Sequence, residues 1–71
     1  MMTISTEARK ILTDMVVASG YDKTKATDVT FTTVSYATTD EMLDNGWAVR
    51  VAGAFLRLSP AGFTLGRQLM S

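Results

Sequence analysis

Apolar residues recur at helical spacing near the start of the chain. Ile4, Ala8, Ile11, Leu12 and Met15 share one face, and Val16 and Ala18 widen it. Ser5 stands where a capping hydroxyl is needed, Glu7 falls in the first turn where a carboxylate suits the helix dipole, and Gly20 suits a left-handed C-terminal cap. The pattern predicts a helix over about 5–19. Arg9, Lys10 and Asp14 fall on its wet side, with Lys10 and Asp14 spaced as an i,i+4 pair.

From Trp47 to Leu58 the period changes to two. Trp47, Val49 and Val51 alternate with Ala48, Arg50 and Ala52, and Gly53 precedes a second run, Ala54 to Leu58. A β-hairpin over about 47–58 follows, with two registers open. A Gly53-Ala54 loop sets Val51 against Leu56, Val49 against Leu58 and Arg50 against Arg57. An Ala52-Gly53 loop sets Val49 against Leu56 and Trp47 against Leu58. Either register buries the aliphatic face and exposes both arginines. Ser59-Pro60 then opens a helix over about 60–70 through Phe63, Leu65, Leu69 and Met70, in which Gly62 and Gly66 either allow close packing against helix 1 or the hairpin or simply reflect a short, weak helix.

The middle of the chain is ambiguous. Asp44-Asn45-Gly46 ends a helix that holds Met42 and Leu43. A capping box of Thr38 with Glu41 would start that helix near 39, whereas a start at Thr32 or Thr33 gives a helix over about 33–45. Val29 to Tyr36 is also dense in β-branched and aromatic residues, as a strand would be.

Composition narrows the chemistry. The chain has 71 residues, no Cys and no His, which removes disulfides, the usual zinc, haem and iron-sulfur ligand sets, and imidazole-based catalysis. Asp40, Glu41 and Asp44 have no acid-base partner type nearby, so no enzyme, cofactor or metal is expected. One small domain over 1–71 is expected. The longest aliphatic run, Met15 to Ala18, is far too short to span a bilayer, and the N-terminus lacks the basic-then-apolar order of a signal peptide, so a cytoplasmic location is expected. Net charge is zero, yet Arg9, Lys10, Lys23 and Lys25 face seven acids in residues 1–45, while Arg50, Arg57 and Arg67 face none after them.

The helix ending in Asp44-Asn45-Gly46-Trp47, the hairpin, and Arg57-Leu58-Ser59-Pro60-Ala61-Gly62 entering a last helix together resemble the C-terminal half of a winged helix-turn-helix domain of the MarR-type bacterial regulators. Residues 42–66 carry the resemblance; residues 21–38 match it poorly, because Asp22 to Asp28 offers only a turn or two of a second helix. The resemblance implies an α+β winged helix-turn-helix fold with a recognition helix over about 33–45. In a regulator of phage or bacterial type, that helix would enter the major groove of DNA and the basic wing would lie on the backbone. Thr32, Thr33, Ser35, Thr38 and Thr39 would then offer hydroxyls, Lys23 and Lys25 would approach phosphates, and Arg50 and Arg57 would be the wing contacts.

Plainer readings stand beside these. Hairpin arginines commonly form a solvated face, threonines favour strands and caps, and Trp47 and Phe55 read as packing residues rather than base-stacking platforms. The zero net charge and the acids at 40, 41 and 44 suit the alternative function: a protein-binding winged-helix module, such as a phage-encoded inhibitor or adaptor of a host protein. Phe63, Leu65, Leu69 and Met70 exceed what one short helix needs, which suggests a homodimer.

Overall fold

The computed structural model describes residues 3–22, 28–30, 34–53 and 55–70. Their elements run α1 (Thr6–Ala18), β1 (Asp28–Thr30), α2 (Tyr36–Asp44), β2 (Ala48–Val51), β3 (Phe55–Leu58) and α3 (Pro60–Leu69), a small α+β fold.

All three helices open on a serine. The hydroxyls of Ser5, Ser35 and Ser59 accept the N–H groups of Ala8, Thr38 and Gly62 at 3.1, 3.3 and 3.1 Å, each satisfying one of the donors that a helix start leaves open. α1 and α2 also close alike. Tyr21 N–H donates to Val16 O and Gly20 N–H to Val17 O; Trp47 N–H donates to Met42 O and Gly46 N–H to Leu43 O. Gly20 and Gly46 take φ of +69° and +72° in these turns, which is why glycine follows each helix.

The second helix corrects the expected 33–45 span. It begins at Tyr36, with Ser35 extended at φ −63°, ψ 154° as its cap. Val34 is drawn into the core at 6% exposure, so the chain enters α2 from an extended position and Ser35 is the hydroxyl that meets it. Thr38 becomes the third helical residue rather than the cap. Part of the ambiguous stretch is a strand, since β1 occupies Asp28–Thr30. Thr32 and Thr33 lie outside the described residues. So do Lys23 and Lys25, and among the described residues no helix separates α1 from α2.

The sheet is antiparallel in the order β1-β3-β2. β2 and β3 pair as Ala48↔Leu58, Val49↔Arg57, Arg50↔Leu56 and Val51↔Phe55, which matches neither expected register. Ala52 and Gly53 both adopt left-handed backbone, φ +53° and +74°, and Val51 opposite Phe55 requires an odd-numbered connection instead of a two-residue loop. A shift of one residue exchanges the faces of a strand. Ala48 and Leu56 are accordingly buried and Val49 is 47% exposed. The arginines therefore do not oppose each other: Arg50 shares a face with Leu56, and Arg57 shares the other with Val49. β1 adds a second partner for β3, with Asp28↔Arg57, Val29↔Leu56 and Thr30↔Phe55 in register.

The core joins Ala8 and Leu12 of α1, Val34, Met42 of α2, Trp47, Ala48 and Leu56, with Ile4, Ile11, Leu43, Leu58, Leu65 and Leu69 packed around it. α3 reaches this core through its glycines, which decides between the two readings of their spacing in favour of close packing. A methyl group on Gly66 would sit 2.7 Å from a Val16 methyl and 3.0 Å from Leu12 O, and one on Gly62 would collide with the Trp47 carbonyl. α3 thus lies against α1 at one glycine and against the Gly46-Trp47 turn at the other. Ser59 fastens the same junction, donating its N–H to Trp47 O at 3.0 Å and its hydroxyl to Gly46 O.

Candidate functional site

Of the residues expected to contact DNA, Lys23, Lys25 and Thr33 lie outside the described residues, and Ser35, Thr38, Thr39, Arg50 and Arg57 do not share one surface. Thr38 and Thr39 are buried at 4% and 6% exposure, because positions three and four of a short helix face inward when Met42, one turn on, sits in the core. Their hydroxyls cannot meet a groove without unpacking α2. Ser35 is exposed, but its hydroxyl is engaged as the helix cap and donates to Glu7. Arg50 and Arg57 lie on opposite faces of the hairpin and each has an interaction partner. The direct opposition of Arg50 and Arg57 that one of the two expected registers allows is absent, since Arg57 pairs with Val49 and Arg50 with Leu56.

What α2 does present is different. Tyr36 is 90% exposed at the first helical position, and Ala37, Asp40, Asp44 and Asn45 are exposed along the outer side, where α2 carries no basic residue. Beyond Asn45 the surface continues into an open groove walled by Trp47, Pro60, Thr64, Leu65 and Gln68. The apolar residues expected at a homodimer contact are mostly spent internally: Phe63 is 9% exposed and Leu65 and Leu69 pack on the core, leaving Met70 at 39%.

Two carboxylates hold the inner edge of this surface. Glu41 of α2 accepts the Ser5 hydroxyl at 2.6 Å and the Ser5 N–H at 2.9 Å. Glu7 of α1 accepts the Ser35 hydroxyl. Hydrogen bonding by the Ser35 side chain first, then by Thr38 and the Ser35 backbone, holds the Glu7 carboxyl below its ordinary value of 4.5. A lowered folded-state pKa stabilises the fold above the unfolded value and is lost as pH falls through the folded one. The native protein should therefore lose stability as pH drops below about 4.5, and Glu7→Gln should flatten that dependence in denaturant titrations run across the acid range. On the outer side of α1, Lys10 and Asp14 make the expected ion pair at 2.6 Å, both side chains being largely exposed. Asp14 raises the Lys10 pKa, by hydrogen bonding first and by charge second.

Thr39 Oγ1 is buried with no hydrogen-bond partner. A stranded buried hydroxyl costs about 1–3 kcal/mol, and valine has nearly the same shape. Thr39→Val should stabilise the protein by about 1 kcal/mol, read as a raised denaturation midpoint with unchanged slope.

Among the described residues no group of three or more carboxylates is placed to hold a metal ion, and no helix is long and apolar enough to cross a membrane. Comparison of the chain with protein-family models, with curated proteins and with solved structures returns no match.

Proposed function

We propose that the protein is a small winged-helix-like module that docks on a protein partner through the outer side of α2. The observation that carries this reading is Tyr36, 90% exposed on a helix whose outer side bears Asp40 and Asp44 and no cation. Exposed tyrosine is a favoured anchor of protein interfaces, since it brings a large rigid contact area and a polar tip at small entropic cost. Carboxylates along the same helix would repel phosphate and favour a partner surface rich in lysine or arginine. An inhibitor or adaptor of a host protein would have this form, and acting by occupancy alone it would need neither cofactor nor metal.

The competing reading, a DNA-binding regulator, draws on one feature of the fold. α2 leads through Gly46-Trp47 straight into the hairpin, and the hairpin into α3, in the order on which the MarR-type resemblance rests. It would have to work with buried Thr38 and Thr39 and with arginines on opposite hairpin faces, so docking on protein is the better supported of the two.

The test uses the whole chain as bait, comparing wild type with Tyr36→Ala and Asp40→Lys. Both substitutions lie on the surface and should change stability by no more than about 0.5 kcal/mol. Loss of an aromatic anchor should weaken partner binding by about 2 kcal/mol or more, roughly 30-fold. A protein retained by wild type and by an Asp14→Lys control, but lost from both α2 variants, is the expected result. Equal retention by all four chains would refute the α2 surface.

A further inference from the structure

The N-termini of α1 and α2 are tied together by a reciprocal arrangement. In a capping box, the serine hydroxyl accepts an N–H of its own helix, and a carboxylate from that same helix returns to the serine N–H. Here the carboxylate comes from the other helix. Ser5 accepts Ala8 N–H and gives its hydroxyl and its N–H to Glu41, 36 residues away; Ser35 accepts Thr38 N–H and gives its hydroxyl to Glu7, 28 residues away. Each serine thereby relays its own helix terminus onto the neighbouring helix.

The rest of the α1–α2 contact is thin. α2 has nine residues, of which only Met42 is a fully buried apolar side chain, beside the partly buried Leu43; its other buried side chains are Thr38 and Thr39. A helix of that length has no stability of its own in water. α1 and α3, by contrast, interlock through Gly66 against Leu12 and Val16, and α3 is fixed to the hairpin entry through Ser59 and Gly62. From this contrast we propose that the reciprocal serine–carboxylate clasp is a latch for α2: when it opens, α2 leaves α1 as a unit while α1, α3 and the hairpin stay packed. The latch thereby governs how the outer side of α2 is presented, whatever that surface binds. Local opening below the free energy of global unfolding is the general behaviour of such weakly docked elements.

Amide hydrogen exchange on the full chain tests the proposal, using wild type, Glu7→Ala, Glu41→Ala and the double variant, since alanine leaves no oxygen to accept the serine hydroxyls. Each single variant should lower protection of the α2 amides Thr39 to Asn45 at least ten-fold more than that of the α1 amides Leu12 to Val16. Because either break opens the same latch, the second substitution should add much less than the first. A Leu65→Ala control, which weakens the core away from the clasp, should lower α1 and α2 protection by similar factors. Equal losses in α1 and α2 for the glutamate variants, or strictly additive effects of the two substitutions, would overturn it. Should the double variant fail to fold, the two single variants still decide, since the ratio of α2 to α1 protection in each is the discriminating readout.

Discussion

Alanine at Gly62 should destabilise the protein by about 3 kcal/mol or more, against a total for a chain of this size of about 4–10 kcal/mol. The added methyl would meet Trp47 O at 1.8 Å and Trp47 C at 2.7 Å. These are backbone atoms, so no side chain can turn aside to make room. Either α3 lifts off the Gly46-Trp47 turn or the turn moves. Both break the Ser59 N–H bond to Trp47 O and the hydroxyl bond to Gly46 O that hold the start of α3. Alanine's better helix propensity returns only about 1 kcal/mol, while ordinary overpacking already costs about 1–3 kcal/mol. Denaturant midpoints of wild type and Gly62→Ala measure the difference. A loss below about 1 kcal/mol would mean that α3 does not approach the turn so closely.

Trp47→Ala should cost about 3–5 kcal/mol, through a different cause. Trp47 is 3% exposed and belongs to the core cluster with Ala8, Leu12 and Met42. Its N–H also completes the turn that ends α2 by donating to Met42 O, placing the indole where an apolar contact closes such turns. Truncation removes the largest side chain of the cluster and leaves a cavity that two short strands and a capped helix cannot collapse to fill. The two substitutions also make a joint expectation. Gly62 faces the carbonyl of residue 47, not its indole, so Trp47→Ala should not rescue Gly62→Ala. A double variant more stable than Gly62→Ala alone would contradict that geometry.

Much of this architecture is legible locally. Ser5, Glu7 and Gly20 bracket α1 because caps act within a few residues of the helix they end, and Ser59-Pro60 marks α3 for the same reason. Gly62 and Gly66, four apart, allow close approach, and the structure assigns one to the Trp47 turn and the other to α1. The hairpin's position is legible too, but its register is not. Alanine rarely accepts a left-handed backbone, so Ala52 at φ +53° has no signature that would favour an odd-numbered connection. From that single residue follows the separation of Arg50 from Arg57.

The candidate site was harder to read than the fold. Threonines at 38 and 39 look polar, yet their burial depends on where α2 starts, which in turn depends on Ser35 outcompeting Thr38 as cap. Tyr36 looks like part of a β-rich run until the helix begins at it and turns it outward. The paired serines and glutamates carry no local signal, because their partners lie 28 and 36 residues away. Only tertiary structure brings Glu7 to Ser35 and Glu41 to Ser5.

The most direct measurement is a titration of labelled random and operator-like duplexes with the purified chain at about 50 mM salt, repeated as salt is raised. Docking on protein through Tyr36, Asp40 and Asp44 predicts no association with either duplex, since even non-specific phosphate contacts register at that ionic strength. Duplex binding whose affinity falls linearly with the logarithm of salt concentration would contradict it, and would return the hairpin arginines to the role of phosphate contacts.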